Sequence, residues 1–193
     1  MRLKLTIAYD GRPYNGWQSQ PGGNTVQDQV HKALGAIAKQ PVSIHGSGRT
    51  DTGVHALGQV AHFEVPLPTR MNPVNWLRAL NTKLPATIRI MACEEVPADF
   101  HARFSAVGKI YHYDICTDPV LSPHKAGLAW HLPRQLDADL LAAALGRMCG
   151  AHDFHAFAAY RGNETAAMDY HRTLHTADLE ALTDGWRITF AGD

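Results

Sequence analysis

The residues best suited to chemistry lie in one short segment, Gly48-Arg49-Thr50-Asp51-Thr52-Gly53-Val54-His55-Ala56. Asp51 stands two residues after an arginine and two before a glycine. A neighbouring guanidinium favours the ionised form of a carboxylate, and an ionised carboxylate can act as a nucleophile or a base. Aspartate and glycine are also ordinary turn formers. The tetrapeptide from Thr50 to Gly53 alone is therefore better explained as a surface turn with a solvated ion pair.

Elements on both sides must position this segment. Strand patterns lead into it at 42–45 and out of it at 54–65. Thr25, with Asp28 three residues later, is typical of a helix N-terminus, and Asn72-Pro73 is typical of another. The predicted order is a strand at 3–7, a helix over 26–37, the two strands around Asp51, a helix after Asn72 and a strand at 88–94.

This order, β-α-β-β-α-β, is that of a ferredoxin-like or split βαβ unit. The pattern then restarts with a strand at 109–116, a helix at 136–148 and strands at 173–182 and 186–190. We therefore expect an α+β fold of two ferredoxin-like halves with mainly antiparallel sheet, the second half incomplete. The expected domains are residues 1–105, which carry Asp51, and 106–193.

Composition limits the classes of function. The 193 residues contain 18 basic and 18 acidic side chains, so the formal net charge is zero. A zero net charge argues against a general polyanion binder and leaves room for a local basic face. The three cysteines, Cys93, Cys116 and Cys149, suggest neither a disulfide framework nor a CxxC zinc pair, which favours a reducing cytoplasm. No signal peptide or long apolar span is present, so no membrane association is expected.

Several segments in a fixed order resemble one family. The nonapeptide around Asp51 is similar to the GRTDxGVHA motif of the TruA family of tRNA pseudouridine synthases. Further matches to that family are Ile7–Gly11, Tyr14–Gln18, Thr25–Gln27, Phe100–Ala106, Lys109–Tyr113, Gly150–Phe154 and Arg172-Thr173. Together they are distributed along nearly all of the chain.

The resemblance implies an isomerase that converts uridine to pseudouridine at tRNA positions 38, 39 and 40 in the anticodon stem-loop. It implies Asp51 as the catalytic nucleophile, attacking either C6 of the base or the ribose. The reaction needs no cofactor. The family also implies a cytoplasmic homodimer that grips one tRNA.

Other residues receive roles through the same resemblance. Arg49 would either pair with Asp51 or fill the gap left by the flipped base. Tyr111 would stack on the flipped uracil and could take part in removing the proton from C5. Strand parity places Tyr113 on the same face as Tyr111, and Tyr113 is expected in the core. Basic residues near the motifs are candidate RNA contacts, namely Arg12, Arg103 and Lys109.

Metal binding is not expected. Cys149, His152 and His155 recur at three-residue spacing, which places side chains on one side of a helix. Gly150 interrupts this run, no fourth ligand is evident, and the family gives the segment no metal role. The remaining scattered histidines are expected to be structural: His31, His45, His55 and His62.

The resemblance fails at the C-terminus. Members of the family continue after a strand like 186–190 with a helix whose basic residue pairs with the catalytic aspartate, and then a final strand. The given sequence ends at Asp193, so we expect a C-terminally truncated member. The alternative function is a tRNA-binding or tRNA-folding module without catalysis.

Overall fold

The structure is a computed structural model that describes residues 1–66, 70–158 and 169–193. The chain divides into two compact units, Met1–Ala106 and Val107–Asp193. Each unit has its own sheet, and each is considered by itself below. The described helices number three, the longest of 13 residues, and none is long and apolar enough to cross a membrane.

The first unit has the strand order of a ferredoxin-like fold. Its four strands are arranged β2-β3-β1-β4, and every neighbouring pair is antiparallel. The elements are β1 (Arg2–Tyr9), α1 (Val26–Ala38), β2 (Ile44–Gly46), β3 (Ala56–Glu64), α2 (Pro73–Lys83) and β4 (Ile88–Val96). The prediction of an α+β, split βαβ fold is confirmed.

Both helices of the first unit begin where capping residues indicate. Thr25 and Asp28 form a reciprocal capping box at the start of α1, which satisfies two backbone N–H groups that the helix itself leaves free. The Asn72 side chain accepts from the Asn75 backbone N–H at the start of α2, with Pro73 at the first helical position. Local polar chemistry thus fixes the start of each helix that covers the sheet.

The core of this unit lies between its sheet and its two helices. Burial alternates along β1, because successive side chains of a strand point to opposite faces. The buried positions Leu3, Leu5 and Ile7 are fully inaccessible. Phe63 of β3 packs edge-on against Trp76 of α2, with ring centroids 5.3 Å apart. This contact joins α2 to the strand that leaves the Asp51 segment.

The second unit is a five-stranded sheet in the order β6-β5-β9-β8-β7. Its elements are β5 (Lys109–Cys116), β6 (Trp130–His131), α3 (Ala138–Gly146), β7 (Gly150–Asp153), β8 (His171–Leu182) and β9 (Gly185–Gly192). Among the strands that the structure describes in this unit, only the pairing of β5 with β6 is parallel. Helix α3 starts later than the sequence predicts, because the Asp137 side chain caps it by accepting from the Leu140 N–H.

The expectation that Tyr113 belongs to the core is wrong. Its side chain is 58% exposed, and Tyr111, on the same strand, is 47% exposed. The ring of Tyr113 contacts Phe190 of β9 edge-on, at a centroid distance of 6.1 Å. Helix α3 packs mainly against β8, so the tyrosines of β5 stay accessible.

Candidate active site

The carboxylate of Asp51 lies on an exposed loop, residues 47–55, that joins the antiparallel strands β2 and β3. Ser47 starts the loop with a backbone hydrogen bond to Val60, 2.8 Å long. Inside the loop, the Val54 N–H donates to the Asp51 carbonyl at 3.2 Å. Among the described residues, the Asp51 carboxylate has no hydrogen-bond or ion-pair partner. It is therefore free to meet a substrate.

A second loop, residues 10–17, supports the Asp51 loop from the first unit's core. The Trp17 backbone N–H donates to the Thr50 carbonyl at 3.0 Å, and the Gly53 N–H donates to the Tyr14 carbonyl at 3.4 Å. The buried hydroxyl of Tyr9 lies 2.8 Å from the Thr50 hydroxyl. Thr50 is thus held through both its backbone and its side chain, directly before Asp51.

Two glycines allow the loops to lie this close. A Cβ on Gly16 would be 2.4 Å from the Thr50 carbonyl oxygen, and Gly16 also has a φ of +79°, which L-residues with a Cβ seldom adopt. A Cβ on Gly11 would be 2.0 Å from the Val54 carbonyl oxygen. The supporting loop therefore needs glycine at both positions.

An ion-pair cluster lies beside this support. Arg12 Nη2 is 2.6 Å from Asp10 Oδ2, and the Nδ1 atom of His55 is 3.3 Å from Asp10 Oδ1. The hydrogen bond from Arg12 lowers the pKa of Asp10 to about 2, against a smaller opposing effect of burial. The backbone nitrogen of Gly11 lies at the same distance, 3.3 Å, from His55 Nδ1, and this nitrogen can accept from Gly11 only when it does not carry a proton shared with Asp10. Asp10 is therefore ionised and already paired, unlike Asp51.

The other basic candidates have different surroundings. Arg49 is exposed on the Asp51 loop, and no ion pair within 4.0 Å joins it to Asp51 in the described residues. Of its two expected roles, pairing with Asp51 is thus not realised here. Arg12 is bound to Asp10, and Arg103 lies 6.0 Å from the centre of the Phe104 ring. These arginines all belong to the first unit.

Two candidate residues belong to the second unit. Lys109 and Tyr111 lie on β5, and both side chains are exposed. Tyr111 is paired in register with Phe190 of β9. An exposed aromatic ring on a regular strand has the accessibility that stacking on a nucleobase requires.

A family model described as tRNA pseudouridine synthase matches residues 5–105. The chain belongs to the tRNA pseudouridine synthase family. It is 50% identical over 194 residues to a tRNA pseudouridine synthase A of Akkermansia muciniphila, covering 99% of this chain and 73% of that protein. It is 42% identical to tRNA pseudouridine synthase A of Bacillus pumilus, over 100% of this chain and 77% of the relative. A tRNA pseudouridine synthase A 1 of Protochlamydia amoebophila is also 42% identical, with 98% and 74% coverage.

The family match contains the whole Asp51 site. Both the Asp51 loop and its support, residues 9–17, lie within residues 5–105. The supporting loop contains two of the segments that resemble the family. No role in positioning the Asp51 loop was expected for Tyr9, Tyr14 or Trp17. The alternation of aromatic residues and glycines in this loop was a visible sign of a tightly packed turn. The hydrogen bonds to Thr50 and Gly53 join residues that are far apart in the sequence, so residue spacing does not reveal them.

In the described residues of this synthase-family chain, one group of side chains has ligand atoms close enough together to hold a metal ion. The side-chain ligand atoms of Cys116, Asp118 and Asp184 lie within 4.8 Å of one another. Lys125 Nζ lies 2.6 Å from Asp184 Oδ1, so one of these three side chains already has a cationic partner. In the segment singled out from its sequence spacing, His152 Nε2 lies 2.8 Å from the Cys149 carbonyl oxygen.

Proposed function

We propose that this chain isomerises uridine to pseudouridine in tRNA, with Asp51 as the catalytic nucleophile. The observation that carries the proposal is an unpaired, exposed carboxylate on a loop that the unit's core holds in place, within the region matched by the family model. The relatives' names describe the same activity. The resemblance extends the proposal to positions 38, 39 and 40 of the anticodon stem-loop.

The chemistry rearranges one bond. The bond between ribose C1′ and uracil N1 breaks, the base rotates, and C1′ joins C5. C5 then loses its proton and N1 gains one, so the product is an isomer of the substrate. Asp51 supplies the nucleophile, either at C6 of the base or at the ribose, and covalent catalysis divides the difficult step into easier ones. No external oxidant or reductant is required by this balance.

The target base has to leave its stack. Flipping a nucleotide costs a few kcal/mol, and stacking on an aromatic side chain can return about 1–3 kcal/mol. The resemblance assigns that stacking to Tyr111. It also allows Arg49 to fill the gap that the flipped base leaves in the RNA stem. Contacts to phosphates would add binding free energy, and Arg12, Arg103 and Lys109 are the proposed contributors. Arg12 would have to exchange or share its contact with Asp10.

The decisive experiment replaces Asp51 with asparagine, which keeps the size of the side chain and removes its charge. We expect pseudouridine formation on unmodified tRNA to be abolished while tRNA binding persists. Asp99→Asn is a matched control, because Asp99 is an exposed aspartate of the same unit outside the Asp51 loop. Turnover by Asp51→Asn above a tenth of wild type would refute the assignment. A wild-type chain that binds tRNA without forming pseudouridine would instead support the non-catalytic binding module.

The assembly and location belong to the same proposal. We infer a homodimer from the resemblance, and light scattering of the purified chain at several concentrations would test it. A cytoplasmic setting is supported by the free thiols of Cys93, Cys116 and Cys149, since disulfides persist mainly in oxidising compartments.

A further inference from the structure

A polar cavity on the first unit has no role in the chemistry at Asp51. Its volume is roughly 480 Å³, and its lining includes Arg2, His45, His62, Glu64 and His101. We call it the histidine cavity. His62 lies six residues along β3 from the strand's first residue, Ala56. His45, elsewhere in the lining, lies on β2 two residues before Ser47, where the Asp51 loop begins, so the cavity adjoins the base of that loop and does not include Asp51.

The three histidine rings form one cluster. His45 of β2 pairs in register with His62 of β3, and their rings stack with centroids 5.1 Å apart. The ring of His101 lies 4.7 Å from that of His62, edge to face. Phe104 continues the cluster, 4.5 Å from His101. Two of the histidines expected to be scattered and structural, His45 and His62, are therefore brought together with His101 at one surface cavity.

Backbone contacts fix which ring nitrogens are available. The Ala102 N–H donates to Nδ1 of His62 at 3.1 Å, and the Arg103 N–H donates to Nδ1 of His101 at 3.2 Å. A neutral imidazole that accepts at one nitrogen carries its hydrogen on the other, so both rings present an Nε2–H donor. His62 is only 3% exposed. Its Nε2 has no protein partner among the described residues and is not fully enclosed, so the donor opens onto the cavity.

The charged groups of the cavity do not satisfy these donors. Arg2 Nε pairs with Glu64, and the Arg2 guanidinium also donates to the Phe100 carbonyl, so the one carboxylate of the lining is already bound. Burial, and then the neighbouring His101 and His45, lower the pKa of His62 to about 4, with Arg2 acting in the same direction and Glu64 against it. The ring is thus neutral near pH 7 and acts as a donor without bringing its own charge.

The donor set selects a class of ligand. In the described residues these three histidines do not bring their ring nitrogens within 4.8 Å of one another, as a metal site would. N–H donors beside a guanidinium are instead suited to a group with several acceptor oxygens, and hydrogen bonds to such an ionised group are stronger than neutral ones.

We propose that the histidine cavity binds a phosphate group, supplied in the cell by the backbone of the RNA substrate. This assignment of the ligand's source rests on the proposed function. A contact outside the Asp51 loop would hold the RNA at a second point, and phosphate contacts fix position and orientation rather than sequence.

The first test uses inorganic phosphate as the probe on the full chain with labelled histidines. NMR should show saturable chemical-shift changes for the ring signals of His45, His62 and His101, because a bound anion changes the electronic environment of each ring that it contacts. His175, an exposed histidine of the second unit, should not respond. If phosphate leaves the three cavity rings unchanged, the proposal is overturned, whether or not the chain forms pseudouridine.

The second test removes one donor and keeps the stacking. His45 is exposed, and its ring makes no hydrogen bond among the described residues, so His45→Phe preserves the ring cluster. We expect phosphate affinity to fall about 10–100-fold, the usual effect of losing one hydrogen bond to a charged group. His31→Phe, at an exposed position of α1 outside this cavity, should change nothing.

The RNA source is tested with tRNA. His45→Phe should raise the KM for tRNA by a similar factor and leave kcat unchanged, whereas His31→Phe should alter neither. Phosphate binding without any change in tRNA affinity would overturn the assignment to the RNA backbone. A wild-type chain that binds phosphate and tRNA but forms no pseudouridine would refute the proposed reaction and leave the cavity assignment standing.

Discussion

The contact between Gly16 and Thr50 makes Gly16→Ala the most informative single substitution. The added Cβ would lie 2.4 Å from the Thr50 carbonyl oxygen, whereas real Cβ atoms essentially never approach closer than 3.0 Å. The two loops must therefore separate by about 0.6 Å, and misplacing a catalytic group by 1 Å can reduce the rate about 100-fold. We expect at least a 10-fold loss of kcat for pseudouridine formation.

The same substitution has a separate cost in stability. The φ of Gly16 is +79°, and left-handed backbone costs an L-residue with a Cβ about 1–2 kcal/mol. Chemical denaturation should therefore show a free energy of unfolding lower by at least that amount. A Cβ on Gly16 would also lie 3.1 Å from the Asp51 carbonyl carbon, so the rate loss would come from displacement of the backbone of Thr50 and Asp51. Saturating tRNA should not restore it.

Gly22→Ala is the matched control. Gly22 lies a few residues further along the chain, and a Cβ there would meet no atom within 4 Å. Its rate and stability should stay close to wild type. If the rates of Gly16→Ala and Gly22→Ala agree within two-fold, the supporting loop does not position the Asp51 loop, and the reasoning from the glycine contacts is refuted.

Three further predictions concern side chains. Tyr9→Phe removes the hydroxyl contact to Thr50, so it should lower stability by about 1 kcal/mol and reduce kcat several-fold; an unchanged kcat would contradict a positioning role. Tyr111→Phe should slow turnover and Tyr111→Ala should also weaken binding of the tRNA, as measured by KM; near-normal activity for both would show that the ring does not stack on uracil. Between pH 6.5 and 4 the unfolded chain binds a proton at His62 that the folded chain excludes, since burial and His101 hold the folded pKa near 4. Stability should therefore fall as the pH is lowered through this range, by on the order of 3 kcal/mol, and denaturation curves of His62→Phe should lose this dependence.

Local signals predicted most of the first unit. Thr25 and Asp28 mark the start of α1 by a reciprocal hydrogen-bond pattern, and Asn72-Pro73 marks α2 by side-chain acceptance and a fixed φ. These interactions lie within a few residues of one another, so the sequence displays them directly.

The short strand β7 of the second unit was not predicted. Gly150 has a φ of +103° and all four residues of the strand are exposed, so the segment has no alternation of buried and exposed residues to indicate a strand.

The candidate site was only partly visible in the sequence. Asp51 was recognised from its motif, which is contiguous. The partners that hold its loop are separated from it by more than thirty residues, as Tyr9 is from Thr50. The histidine cavity depends on strand register, which pairs His45 with His62, and on a backbone bond from Ala102. Neither follows from residue type or spacing. Tyr113 shows the converse error, because this aromatic residue on a strand was expected in the core and is exposed.

The hydrogen bond from the Trp17 N–H to the Thr50 carbonyl also affects how easily the Asp51 loop opens. A loop between hairpin strands usually opens by itself at little cost, so that its amides exchange long before the domain unfolds. Here the donor to Thr50 belongs to a residue that is 1% exposed and touches Gly46 at the end of β2. Releasing the loop therefore means loosening the packing of Trp17, which ties the loop to the same cooperative unit as the core. On heating, inactivation and unfolding of the first unit should then occur in one transition.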